Sequence, residues 1–408
     1  MAKNSFQIGY CTNVHASSDW NQCFHQLQHH LPEVKRYVSP YESMGFGLWL
    51  SDIASLTLWE SRRQQDQLVS WLEQHHLNVM TLNGFPYGSF HGKAIKENVY
   101  TPNWKSADRF DYTKRLIDLV LKLGVVGEGV FPISTLPLGY QDSFRNPTDI
   151  ELAAQHLIEL AFYLHEIQSN LGKTIVLALE PEPFCFLEKT KDLIVFFEAF
   201  LLNPKIYQRS AWTKGYAAAT IERIIRTFLT ICLDTCHMAV AYEEPRQVME
   251  SLQASGISVG KVQISQALEV FPISADHMEA LGDFIDPVYL HQTVVLGDDG
   301  LKAHYSDLHL FLRDWQRHRG HRARVHFHVP VHWKGGNLIA GTGEHLLATL
   351  QQLVKHHQML NPVFEVETYT FDVLPESLSD QSLVHHLVSE LNWTKEQITR
   401  EYETQNLT

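Results

Sequence analysis

The chain is poor in cysteine, carries no excess of positive charge, and lacks a long apolar run. Five cysteines in 408 residues, an odd count without small-domain spacing, exclude a disulfide framework. Cys232 and Cys236 have no second pair to complete a zinc ribbon, so they read as packed thiols. A formal net charge of −13 excludes a non-specific nucleic-acid binder, whose footprint is basic, and suits a cytoplasmic protein. No stretch reaches the roughly 20 apolar residues a spanning helix needs, so no membrane insertion is expected. The N-terminal MAKNSFQIGYCTNVH has no apolar segment of the secretory kind. No GxGxxG turn follows any strand-like run, which disfavours a dinucleotide-binding doubly wound sheet.

What is abundant is histidine, with 24 residues, and an ordinary 44% of hydrophobic side chains, enough for a large core. Many histidines sit on polar helical patterns and read as solvated: HQLQHHL (25–31), EQHHL (73–77) and KHHQ (355–358). Short β-branched runs alternate with longer amphipathic ones. The runs 7–12, 46–51, 77–84, 129–137, 174–180, 227–234, 257–265 and 361–369 predict eight strands, nearly continuous in apolar character, as parallel strands buried on both faces are. Helical spacing appears over 54–75, 112–124, 149–170, 217–228 and 344–357. This is α/β alternation, and eight such units make a (β/α)8 TIM barrel. Residues 1–408 read as one domain. Long connections over 85–111, 182–216 and 266–324 each follow a strand and so belong to the C-terminal face, where barrel active sites are built. The tail 376–408 predicts a closing pair of helices.

Polar residues gather where the strands end. Glu180 closes TIVLALE and Glu182 follows it; Asp234 ends TFLTICLD, with His237 three residues on; Gln263 lies in KVQIS; Glu365 and Glu367 share one face of FEVETY. Carboxylates crowded at one rim lose several kcal/mol of hydration each unless something neutralises them, and a divalent cation does so by taking carboxylates and imidazoles as ligands. His326 and His328 share parity in RARVHFHVPVHW, and His332 continues it, a pattern compatible with metal binding. Mixed ligands favour zinc or manganese, with magnesium and cobalt open. His15 and His91, after the first and third strands, fall on the same face. Gln263 suits substrate or supporting hydrogen bonds, and Glu365 a supporting role. Trp333, Tyr369, Phe85 and Tyr87 are candidates to stack on an apolar substrate face.

LALEPEP, CLDTCH, KVQIS and FEVETY, in that order, resemble the xylose-isomerase-like TIM-barrel superfamily. GYCTNVH, LWLS, LNGFPYGSFH, STLPLG, LEPEPFCFLE, CLDTCHMAV, HFHVPV and EVETYTFDVLP are similar to the EboE family, termed metabolite traffic proteins. The resemblance implies that Glu180, Asp234 and Glu367 hold the metal, and that His237 binds metal or substrate. It implies a small-molecule bacterial metabolite as ligand and proteins of a metabolite-export pathway as partners. The superfamily places a histidine where this chain has Gln263; His326 or His328 would supply the missing imidazole. The expected activity is that of a metal-dependent sugar or polyol isomerase or epimerase, with Glu180 and Glu367 on opposite sides of the mouth, one removing and the other returning a proton. Asn83, His15, His91, Gln263, Trp333 and Tyr369 are the expected substrate contacts. Two alternatives stand beside it: metal-dependent hydrolysis on the same residues, and non-catalytic metabolite binding or export.

Overall fold

A computed structural model of the chain describes residues 6–91, 95–356, 362–378 and 381–406. Of the expected segments, 92–94 of the 85–111 connection, 357–358 of the KHHQ stretch (with 357 also ending the last predicted helix), 361 of the last strand, and 379–380 and 407–408 of the tail lie outside the described residues. Seven parallel strands come first: β1 (Ile8–Tyr10), β2 (Met44–Trp49), β3 (Leu77–Asn83), β4 (Val130–Thr135), β5 (Thr174–Leu179), β6 (Leu229–Asp234) and β7 (Val259–Ile264). The chain then leaves the barrel. After Ser265 it builds an antiparallel sheet from β8 (Gln266–Val270), β9 (Thr293–Leu296), β10 (Lys302–Tyr305), β11 (Arg322–Val329) and β12 (Ala340–Gly341). The last strand, β13 (Val363–Val366), returns to pair in parallel with both β7 and β1. A parallel bridge between Cys11 and Gly47 brings β1 against β2 and closes the ring of eight.

Each predicted strand overlaps an observed one, with ends within three residues, because apolar runs flanked by helices leave the chain few other ways to bury both faces. Helices differ more. The segment 54–75 is two helices, Asp52–Glu60 and Arg62–Gln74, separated at Ser61, whose hydroxyl accepts from the Gln64 amide and starts the second. Within the tail, one helix runs from Leu383 to Asn406, preceded by a 3₁₀ turn at Glu376–Leu378, in place of the expected pair. The helix Trp20–Val38, obscured in sequence by its many polar residues and Pro32, packs against that last helix. Among the described residues no helix is long and apolar enough to cross a membrane.

The connection over 266–324 therefore carries most of an inserted antiparallel sheet, which continues through β11 and has a core of its own, including Leu268, Val270, Phe311, Phe327 and Val329. Its function for the barrel lies in one irregularity. Val325 pairs with Leu268 and Val329 with Gln266, so β11 spends four residues where β8 spends two. That bulge releases residues 326–328 from the regular ladder and turns His326 and His328 toward the barrel mouth.

The barrel interior contains a buried ion pair below the mouth. Lys261 Nζ lies 2.5 Å from Glu365 Oε2 and donates to Ser134 Oγ at 3.0 Å, and neither charged side chain reaches solvent. Gly47 makes room for it: a Cβ there would overlap Glu365 Oε1.

Candidate metal centre

Above that pair, three strand ends bring Glu180, Asp234 and Glu367 together, with one oxygen of each lying within 4.8 Å of the others. Asp234 caps the short helix Thr235–Val240. Its Oδ1 accepts from the amides of Cys236 (2.7 Å) and His237 (3.0 Å) and from Ser265 Oγ (2.7 Å), which fixes Oδ2 toward the cluster. Glu367 Oε1 accepts from Asn13 Nδ2 (2.7 Å) and Asn83 Nδ2 (3.0 Å). The Gln263 amide bridges the two glutamates, donating to Glu180 Oε1 at 2.8 Å and to Glu367 Oε2.

Beside the acids stand three imidazoles, and their tautomers follow from their partners. The Nδ1 of His237 faces the Pro181 carbonyl (2.9 Å), that of His328 the Glu367 carbonyl (2.7 Å), and that of His326 the Gln292 Oε1 (2.7 Å). Carbonyl oxygens only accept, so each Nδ1 carries the hydrogen and each Nε2 presents a lone pair. Those lone pairs converge: His237 Nε2 is 3.1 Å from His326 Nε2, which is 3.3 Å from His328 Nε2. Asp234 Oδ2 lies 4.0 Å from His237 Nε2 and 3.9 Å from His328 Nε2. This is how metal-binding histidines are oriented by outer partners.

The electrostatics match. Burial, then the neighbouring carboxylates, push the pKa values of Glu180 and Glu367 well above the ordinary range. Burial would also raise Asp234, but His237, His328, the His237 amide and the Ser265 hydroxyl together hold it below its usual value. Burial lowers all three histidines, His237 to about 4. Glu180 Oε2, Asp234 Oδ2 and Gln263 Oε1 are buried without a hydrogen-bond partner. Facing lone pairs and orphaned carboxylate oxygens fit a divalent cation, which takes up both kinds of atom.

A cavity of about 60 Å³ opens beside the cluster, with Glu180, Glu182, Glu367, His237, His326, Asn13, Asn83 and Tyr369 among its lining and Phe85, Phe90 and Ile95 on its apolar side. Glu182 accepts from the Tyr100 hydroxyl at 2.6 Å, and burial raises its pKa to about 8.

Among the substrate contacts expected from sequence, Asn83, Gln263 and Tyr369 are at the cluster; the Tyr369 ring packs at a tilt against His328, with ring centroids 4.6 Å apart. Others are elsewhere. His15 is not part of the cavity lining: it stacks on His30 at 4.3 Å and bonds the Tyr10 hydroxyl. His91 stands one layer out, reaching the Asn13 carbonyl and the Tyr289 hydroxyl. Trp333 packs with the inserted sheet's core, and its carbonyl accepts from Gln266. Tyr87 packs on Tyr112, and His332, beyond the end of β11, does not join the imidazole cluster. Glu180 and Glu367 follow β5 and β13, which are separated by β6 and β7 in the ring, and the Gln263 amide of β7 joins them. Cys236 is buried close enough to His326 and His328 to complete a further ligand group. Sequence reasoning overlooked Asn13, Tyr100 and Gln292. All three stood in stretches already marked, Asn13 within CTNVH after β1, Tyr100 in the 85–111 connection and Gln292 in the 266–324 connection.

Comparison with solved structures agrees with this architecture. A xylose isomerase-like TIM-barrel protein from Mycobacterium smegmatis, in complex with magnesium, aligns over 98% of this chain and 98% of its own at a TM-score of 0.52 and 10% identity. The fold is that of a xylose isomerase-like TIM barrel. Weaker likenesses include an IolI protein with a zinc atom (TM-score 0.47, 12% identity, 97% of this chain and 99% of that one) and a D-allulose 3-epimerase from Methylomonas sp. (0.47, 11%, 96% and 98%). No family model matches the sequence, and no curated protein does.

Proposed function

We propose that this protein is a metal-dependent isomerase or epimerase of a small metabolite. The carrying observation is the convergence of Glu180, Asp234 and Glu367 with the lone pairs of His237, His326 and His328 beside a small cavity. These residues would hold the ion; zinc or manganese suits the mixture of imidazole and carboxylate, with magnesium and cobalt open. When bound, such an ion supplies polarisation of a substrate carbonyl or hydroxyl oxygen. Glu180 and Glu367 serve as ligands. Proton transfer falls to Glu182, a cavity-lining carboxylate held by Tyr100. Tyr369 and Phe85 bound the substrate on its apolar side. The EboE resemblance supports a metabolite that is processed or passed on inside the cell, with export proteins as partners.

A metal-dependent hydrolase is the second reading. It is favoured by the ligand supply, since the carboxylate and imidazole groups share Asp234 and together exceed what one zinc ion takes. The deciding experiment incubates metal-loaded protein with small ketoses and hydroxyketones in deuterated water. Isomerase chemistry places deuterium on carbon, and Glu182→Gln lowers that exchange by about 10²–10⁴-fold with metal content unchanged. No carbon-bound deuterium across the panel would contradict it, and two ions per chain would favour hydrolysis.

A further inference from the structure

Gln292 stands immediately before β9, is fully buried, and ties the metal cluster to the cavity wall. Its side-chain nitrogen faces the Pro183 carbonyl at 3.4 Å and the Tyr100 hydroxyl oxygen at 2.9 Å. A carbonyl only accepts, so the NH2 lies on that side and Oε1 on the other. Oε1 then takes the Nδ1 hydrogen of His326 at 2.7 Å, and the His326 backbone amide donates to the Gln292 carbonyl at 2.8 Å. Because the Tyr100 oxygen accepts from Gln292, its own hydrogen goes to Glu182 Oε1, 2.6 Å away. Side chains from four segments of the chain thus form hydrogen bonds that all run one way, from His326 to Gln292, on to Tyr100 and then to Glu182. A second acceptor stands near the same imidazole. Glu182 Oε1 lies 3.7 Å from His326 Nδ1, so carboxylate and ring are neighbours without being joined. All four side chains are buried, and there a bond to a carboxylate is stronger than one to a neutral amide.

We infer that Gln292 is a positioning residue, a neutral spacer that keeps the imidazole of His326 and the carboxylate of Glu182 from bonding to each other. It satisfies His326 Nδ1 with an uncharged oxygen, which holds Nε2 toward His237 Nε2 and the Tyr369 hydroxyl, 3.1 and 3.5 Å away. Through Tyr100 it also steadies Glu182, which stays on the cavity wall. Were Glu182 the partner of His326 instead, it would become a support for that ring, as carboxylates behind metal-bound histidines commonly are, and would be lost to proton transfer. The task given to Glu182 rests on the proposed function, whereas the hydrogen-bond chain belongs to the protein with or without an ion.

Histidine-selective ¹⁵N NMR of the full chain, metal-free and zinc-loaded, tests this without a substrate, and His326→Gln assigns the signal. The expected native spectrum has the His326 hydrogen on Nδ1. Glu182→Gln leaves that signal in place, because the Gln292 amide and not the carboxylate holds the hydrogen. In Gln292→Met the hydrogen stays on Nδ1 but its resonance moves, as Glu182 takes it up, and zinc affinity is retained. Adding Glu182→Leu to that variant removes both partners and lowers zinc affinity by about 10–100-fold, the usual cost of a lost outer partner. Deuterium exchange onto carbon falls in Gln292→Met although zinc is held, a split that a purely structural residue would not give. A native His326 signal displaced by Glu182→Gln, or a Gln292→Met chain that loses zinc as fully as the double variant, overturns the inference. A native chain that binds no zinc or exchanges no deuterium defeats the proposed function instead, and the metal-free spectra still decide the spacer.

Discussion

Asp234 shows how one residue joins fold to chemistry. Oδ1 closes three hydrogen bonds that start a helix, while Oδ2, committed to none, faces His237 and His328. Asp234→Asn retains an oxygen for the cap but removes the anion. We expect metal affinity to fall by more than the roughly 10–100-fold that outer partners cost, with helix content preserved. Competition with a chromogenic chelator measures this, and unchanged affinity would refute the assignment. The Lys261–Glu365 pair makes a different prediction. Lys261→Met alone leaves a buried carboxylate unpaired and should cost about 3–5 kcal/mol, whereas the double change Lys261→Met with Glu365→Leu should come close to neutral. Urea denaturation of the two variants separates the pair's structural role from the metal site above it. Equal losses in both would show that Glu365 is needed for something besides Lys261.

At the scale of elements, β11 decides the site. Equal parity of His326 and His328 was readable from sequence because side chains alternate along extended chain. The bulge that swings both over the mouth was not, since it depends on register against β8. The same limit explains His332: parity ends with the strand, which stops at Val329. Where the His15 and His91 rings point was not readable either, because a position after a strand gives a face of the barrel and no direction for the ring. The eight barrel strands were legible from apolar runs alone, but the inserted sheet was hidden behind polar, turn-rich sequence. The terminal helix carries its own prediction. Its Glu390 accepts from the Val331 amide (3.1 Å) and the Thr368 hydroxyl (2.6 Å), and burial raises its pKa from 4.5 to about 7. The folded chain thus keeps a proton that the unfolded chain releases, so the stabilisation is complete below about pH 4.5 and drains as pH rises through about 7. Glu390→Gln should flatten the fall in stability across that window, as read by urea melts at several pH values; an unaltered slope would contradict this.

For the whole molecule, the account is one of convergence. Residues far apart in sequence, Asn13, Glu180, Asp234, His326 and Glu367 among them, meet because a closed parallel barrel carries its strand ends to one rim and an inserted sheet leans over it. The three carboxylates could be named from sequence because acids at the ends of apolar strands stand out against their surroundings. Their bridging by Gln263, and Glu182 and Tyr100 as a separate pair, required the packed structure. Elemental analysis of protein purified without chelator, beside Glu180→Gln/Asp234→Asn/Glu367→Gln, tests the central claim most directly. The account predicts a stoichiometric transition metal or magnesium in the native chain and none in the folded triple variant. A native chain that remains metal-free after dialysis against zinc, manganese, cobalt and magnesium would contradict it.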